Sequence, residues 1–317
     1  MNTLSTSDPP GLARRPRAWG RRLQQIRHLV QLGFALFIAA LVVRHEFLPE
    51  GEAASAESYC PFGGLETLYR WASSGGKFIE HSHASNFVLF IAILLTAVVA
   101  RGFFCGWVCP FGSIQSVIAL VSRTLQRHIP ALRTWSRATQ HRLAWLAALD
   151  RPLRYARYAV LAWVLIGTAY YGRMVFRDVD PWSALLEIAT LQVTLAFGVL
   201  VAVLLLSFVV ERPFCRYACP LGATIGLVGK LSPIAIERKG DSCVGCNLCS
   251  TACPVGIPVE RLSRVTDSNC LMCFECLGSC PSESGLNVTL TLPGVPTRPR
   301  VAGAVSPDPD RHSTEAA

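Results

Sequence analysis

Four apolar runs divide this chain, at residues 29–43, 87–100, 158–171 and 188–210. A helix that crosses the hydrocarbon core of a bilayer needs about 20 largely apolar residues. The fourth run meets that length. The first three have apolar centres of 14 or 15 residues. They predict spanning helices if Arg27, Arg44, Arg101, Arg154 and Arg157 extend their charged heads to the interface. A further apolar patch, 102–108, follows the second run. Beyond it, Ile114, Val117, Ile118, Val121 and Leu125 recur at helical spacing. They predict an amphipathic helix over 113–126, lying on a membrane surface or packed against neighbouring helices.

Charge adds an orientation. Hydrophobic residues make up 51% of the chain and charged residues 16%, against about 25% charged in ordinary soluble domains. That balance favours a bilayer over buried helices of a large soluble protein. The net charge of +9 is unevenly placed. Residues 1–27 carry six Arg and residues 102–157 carry eight, whereas residues 46–85 have only Arg70 and Lys77 beside six Glu. The positive-inside rule therefore places both termini and the Arg-rich middle in the cytoplasm of a bacterial inner-membrane protein. A secretory leader is the competing reading, with Arg21-Arg22 ahead of an apolar run and Ala54-Ser55-Ala56 as a cleavage site. The later apolar runs favour a polytopic chain. No interleaving of aromatic and basic residues marks a nucleic-acid surface.

The chemistry lies in the cysteines. Eight of thirteen fall between Cys243 and Pro281, in two identical words. The first is Cys243-x2-Cys246-x2-Cys249-x3-Cys253-Pro254; the second is Cys270-x2-Cys273-x2-Cys276-x3-Cys280-Pro281. This is the spacing of bacterial two-cluster ferredoxins, in which three close thiolates hold one [4Fe–4S] cluster and the fourth ligates the other. The expected sets are Cys243, Cys246, Cys249 and Cys280 for cluster one, and Cys270, Cys273, Cys276 and Cys253 for cluster two. Structural zinc and disulfides are the alternatives, but zinc draws on separated pairs. Thiols kept free for iron fit the reducing side of a membrane, in agreement with the charge map.

A second pattern is repeated. Phe104-Cys105-Gly106-Trp107-Val108-Cys109-Pro110-Phe111-Gly112 echoes Phe214-Cys215-Arg216-Tyr217-Ala218-Cys219-Pro220-Leu221-Gly222. Both read Phe-Cys-x3-Cys-Pro-x-Gly at the end of an apolar run, as a duplicated helix hairpin would produce. Spacing of four sets both cysteines of a pair on one helical face. Cys105, Cys109, Cys215 and Cys219 are thus a candidate four-thiolate site for a metal, a further cluster or a redox dithiol; helix-end packing is the plain alternative. Cys60 stands alone in Tyr59-Cys60-Pro61-Phe62-Gly63-Gly64-Leu65-Glu66, near a candidate quinone pocket or as a free thiol. His81 and His83 are candidate acceptors of quinol protons, against the plain reading of solvated histidines.

Together the two cysteine patterns resemble the membrane ferredoxins of the NapH type, over roughly residues 28–290. Related regions occur in nitrous-oxide-reduction regulators and in oxidase-assembly ferredoxins, and the Tyr59–Glu66 stretch leans toward the regulators. The flavin-bearing domain of those regulators has no room in 317 residues. The resemblance implies a stand-alone membrane electron carrier, a component of a quinol dehydrogenase-type system. It would pass electrons between the quinone pool and another redox protein, a cytochrome or reductase. A copper-reducing assembly factor and a membrane redox sensor remain alternatives; three Met and seven scattered His disfavour copper delivery. The expected fold is mainly α. A basic disordered arm (1–27) precedes a four-helix membrane domain of two similar hairpins (28–235), a small α+β two-cluster ferredoxin domain (236–290) and a disordered tail (291–317).

Overall fold

A computed structural model describes residues 18–47, 63–64, 68, 84–129, 149–150, 152–171, 175–186, 194–282 and 284–290. Cys60, His81, His83, residues 1–17 and the tail from 291 lie outside them.

The chain begins with α1 (Ala18–Phe47) and α2 (Ala84–Ala100). A π-helical turn, Phe104–Val108, leads into α3 (Pro110–His128). Then come α4 (Ala156–Tyr171), α5 (Pro181–Leu186), α6 (Leu195–Leu206), α7 (Pro213–Tyr217) and α8 (Pro220–Val228). A small α+β unit closes the described chain: β1 (Ile234–Arg238), α9 (Leu248–Thr251), β2 (Arg264–Val265), α10 (Glu275–Ser279) and β3 (Leu286–Leu290). Its antiparallel sheet has the order β2-β1-β3, with Ile236 opposite both Val265 and Val288.

Among the described residues the four spanning helices expected from the apolar runs are not found. Among the described residues no helix is long and apolar enough to cross a membrane. The runs are cut by local backbone chemistry that hydropathy does not register. α2 has 17 residues and stops where Arg101 turns left-handed, at φ 53°. α4 has 16. α6 has only 12, and a helix of that length reaches about 18 Å against a hydrocarbon core of about 30 Å. Thr194 opens α6 as its N-cap, its Oγ1 accepting the Phe197 N–H at 3.3 Å. Past Leu206 the chain tightens into turns, with Phe208 N–H on the Leu205 carbonyl at 3.1 Å.

α1 has the length, at 30 residues, but its first half is rich in polar residues and buries Arg27 and Gln31 against protein. It starts at Ala18, inside the stretch expected to be a disordered arm. Arg27, expected to reach for an interface, is 1% exposed. Its guanidinium donates to Glu275 at 2.7 Å and to the Gly106 carbonyl at 3.2 Å. The amphipathic helix expected at 113–126 forms within α3. Its polar positions face inward: Ser113, Gln115 and Ser122 are buried, while Val117, Leu120, Val121 and Leu125 are exposed. Internal partners make this possible, as with Ser122 Oγ on the Phe208 carbonyl at 2.8 Å.

Two cores result. Phe90, Phe111, Leu200, Phe214 and Leu221 fill the helical one. Ile236, Ile257, Met272, Leu277 and Leu286 fill the other, together with the cysteines of the second word. The cores are joined through polar bonds. Trp107 Nε1 donates to the Met272 carbonyl at 3.0 Å, and Gln24 Nε2 donates to the Cys273 carbonyl at 2.9 Å. Arg157 donates to Asn269 Oδ1 and Ser268 Oγ, both at 2.7 Å.

Candidate iron–sulfur centres

The two four-cysteine words share one backbone. In each, the second cysteine is flanked by two left-handed residues: Gly245 (φ 69°) and Asn247 (φ 58°) around Cys246, Met272 (φ 47°) and Phe274 (φ 59°) around Cys273. Such reversals turn successive amides toward one point and make a concavity suited to an anion. Asn247 and Phe274 then start the short helices α9 and α10, which carry Cys249 and Cys276. Glycine and asparagine adopt left-handed backbone readily; methionine and phenylalanine do so rarely. The second word therefore pays a conformational cost that the first largely avoids.

The fold brings together the sets expected from crossed ligation. Cys243, Cys246, Cys249 and Cys280 line one small cavity, with Gly245 and Gly285 at its wall. Cys280 comes from the other word, as the spacing requires. In the second set, Cys270, Cys273 and Cys276 are buried, and each feels the charge of Cys253. Burial pushes the Cys270 thiol up to about 11 and that of Cys273 to about 12. Such thiols hold their protons at neutral pH, so iron must displace them on binding. Both sets fit four-thiolate cluster ligation.

The helix-end pairs repeat each other closely. Cys109 and Cys219 are both N-caps in extended backbone, at φ −61° and −70°, and each precedes a proline that opens a helix. In both, the capping amide reaches back five residues, Cys109 N–H to Phe104 C=O and Cys219 N–H to Phe214 C=O, each 2.9 Å. The pairs thus do not share one straight helical face, as their spacing suggested. A π-type turn lies between Cys105 and Cys109, and a broken turn between Cys215 and Cys219. The repeats meet edge to face through Phe111 and Phe214, with ring centroids 5.3 Å apart.

All four helix-end cysteines line a single apolar cavity of about 150 Å³. Burial raises all four thiols, that of Cys215 to about 11. Among the described residues, no three His, Cys, Asp or Glu groups are close enough for one metal ion. A [4Fe–4S] cluster is less demanding, because it spreads four thiolates over four irons. Polar donors already attend two sulfurs: the Gly222 amide reaches Cys219 Sγ at 3.2 Å, and Gln115 Nε2 reaches Cys215 Sγ at 3.5 Å. The same cavity is lined by Asn269, Cys270 and Leu271, so the second word forms part of its wall.

Comparison with known proteins bears on this chemistry. A 4Fe-4S binding domain family matches the chain twice, at residues 82–128 and 192–239, each match containing one helix-end pair. A 4Fe-4S dicluster domain family matches residues 235–281, which hold both words. Ferredoxin-type protein NapH of Haemophilus influenzae is 26% identical over 203 residues, 61% of this chain and 64% of NapH. These matches support a NapH-type ferredoxin family for the chain. YccM of Escherichia coli, whose name assigns it to electron transport, is 30% identical over 244 residues, 75% of this chain and 64% of YccM. NirI of Paracoccus denitrificans is 26% identical over 281 residues, 85% of this chain but 37% of NirI. The chain spans less than two thirds of each of these three relatives. No solved structure matches it.

Sequence reasoning missed Gly102 and Gly106. A Cβ at Gly106 would collide with the Leu271 carbonyl, and one at Gly102 would meet the Cys270 carbonyl. These glycines let the first helix end lie directly on the second word. A signal was present in the repeat's asymmetry, since Gly106 is matched by Arg216. Arg216 instead pairs with Asp150 at 2.6 Å and stands over Gly256, in the turn after Cys253.

Proposed function

We propose that this chain is an iron–sulfur electron carrier that passes electrons between the quinone pool and a soluble or bound redox protein. In this reading Cys243, Cys246, Cys249 and Cys280 hold cluster one, and Cys270, Cys273, Cys276 and Cys253 hold cluster two. Cys105, Cys109, Cys215 and Cys219 hold a third cluster. A [4Fe–4S] cluster supplies one-electron transfer, so several in series can divide the two electrons of a quinol. The observation that carries the proposal is the shared cavity, with four helix-end thiols on one side and Cys270 on the other. The order from interior to surface is then the helix-end site, the second word and the first word, whose Val244 and Gly245 are exposed.

The exposed apolar side chains support contact with a lipid surface. Leu29, Leu32 and Leu36 of α1, Val88 and Leu95 of α2, Ile166 of α4, and Leu195 and Leu205 of α6 all face outward. So much exposed apolar surface is unusual on a monomer in water.

Anaerobic purification with iron and sulfide counting, followed by mixing with a quinol analogue, tests the reading. About twelve irons per chain and rapid reduction by the quinol are expected. About eight irons would remove the helix-end cluster. Failure of every quinol to reduce the protein, together with tight copper binding, would replace electron transfer from quinol with metal handling.

A further inference from the structure

Each repeat is entered through a buried arginine in a backbone conformation that arginine seldom adopts. Arg101 has φ 53° and Arg212 φ 54°. They are 4% and 0% exposed. Left-handed backbone is strained for an L-residue, and a buried guanidinium is costly unless a counter-charge meets it. Among the described residues no ion pair joins either side chain to a carboxylate. Backbone strain of this kind clusters at functional sites.

The two side chains attend different cysteines. Arg212 places Nε on Ser116 Oγ and Nη1 on the Cys105 carbonyl, both at 2.7 Å, and its Nη2 is buried with no partner. Its charge reaches the thiols of Cys105, Cys109 and Cys215. Arg101 anchors Nε on the Ile234 carbonyl at 3.0 Å, and its charge is felt by Cys270. The next residue, Gly102, lies against the Cys270 backbone.

We propose that Arg212 and Arg101 are the buried counter-charges of two separate centres, the helix-end four-cysteine site and the second word. Each holds the reduction potential of its own centre up. The Arg212 half rests on the reading that the helix-end cysteines hold a cluster. Four thiolates around a cluster make a net negative group, and reduction adds one more negative charge. A fixed cation nearby favours the reduced form, and far more so in a dry interior than in water. The arginines are therefore tuning residues, positioned by their carbonyl and hydroxyl anchors.

The test uses Arg212→Gln, Arg212→Lys, Arg101→Gln and Arg101→Lys in the full chain, with iron counting and a redox titration followed by electron paramagnetic resonance. Arg212→Gln is expected to lower the helix-end midpoint by a factor of about ten in the reduction equilibrium, about 59 mV for one electron. Arg101→Gln should do the same for the second-word centre alone, and each Lys variant should recover most of the shift. Midpoints that stay put at full iron content overturn the proposal. So do Lys variants that behave like the Gln variants, because the side chain's shape would then matter and not its charge. If a Gln variant loses iron, retention of iron with a near-native midpoint in the Lys variant supports the proposal, and loss in both overturns it. A wild-type protein with about eight irons and no third signal sinks the helix-end reading instead; the Arg101 variants then decide the counter-charge on their own.

Discussion

The two four-cysteine words share one spacing along the chain and differ in almost everything around it. Both use the same spacing and the same pair of left-handed residues about the second cysteine. In the first word the intervening Val244 is 56% exposed; at the same place in the second, Leu271 is 8% exposed. Local sequence builds the chelating loop, because ligand spacing and turn conformation are short-range properties. Environment is set by what the loop is pressed against: the cysteine loop of the second word lies against Gly102, Gly106 and Trp107 of the first helix end. Since burial and nearby charge tune cluster potentials, two identical words become two different electron sites.

Crossed ligation gives the largest expected effect. Cys253→Ser should remove the second-word cluster and spare the first, and Cys280→Ser should do the reverse, as read by iron count and spectra. The opposite assignment in either variant would break the crossed arrangement and with it the comparison. Next comes Gly106→Val, which sets a side chain into the Leu271 carbonyl. Overpacking of this kind costs about 1–3 kcal/mol or more. It should lower the unfolding midpoint and release iron from the second word before the first.

The left-handed positions sharpen the contrast further. Asn247→Gly should change stability by no more than about 0.5 kcal/mol, since both residues accept this backbone. Phe274→Gly relieves more strain but removes an aromatic ring that meets Trp107 edge to face, with centroids 6.3 Å apart. A net loss of about 2 kcal/mol in denaturant unfolding is expected from the lost packing. Equal effects at the two sites would mean that the helical domain contributes little to the second word.

The smallest effect is a pH dependence confined to the turn after Cys253, the residue expected to ligate the second cluster. Asp150 is partly desolvated, which works against ionisation. The Tyr217 hydroxyl, Arg154 and the Arg216 charge nevertheless hold its carboxyl below the usual range. Arg154 also donates to the Gly256 carbonyl at 3.1 Å, in the turn after Cys253. A carboxylate with a depressed folded pKa stabilises the fold above its unfolded pKa, and that stability is lost as pH falls through the folded value. Below about pH 4, hydrogen exchange in residues 253–256 should accelerate relative to the loop 243–249, and Asp150→Asn should abolish the difference.

The cysteine words and the helix-end repeat were legible because their chemistry depends on spacing, which a sequence displays directly. The spanning helices were misread because hydropathy counts apolar residues and does not see what ends a helix. Thr194 as a cap, the left-handed Arg101 and the tight turns after Leu206 are decided by backbone geometry. Arg27 was misread for a related reason: an arginine beside an apolar run reaches for an interface unless Glu275 and the Gly106 carbonyl happen to stand within reach.

By itself, then, the sequence determined the spacing of the two cysteine words, the expectation that each fourth ligand serves the other word, and the duplication of the helix ends. Each follows from residue type and separation over a dozen positions or fewer. The tertiary structure alone decided that Cys105, Cys109, Cys215 and Cys219 share a cavity with Cys270, and that Arg101 and Arg212 are sealed beside different thiols. Those juxtapositions join residues up to about 170 positions apart along the chain. They depend on glycines, caps and buried hydrogen bonds that draw two cores together, and no local pattern records that.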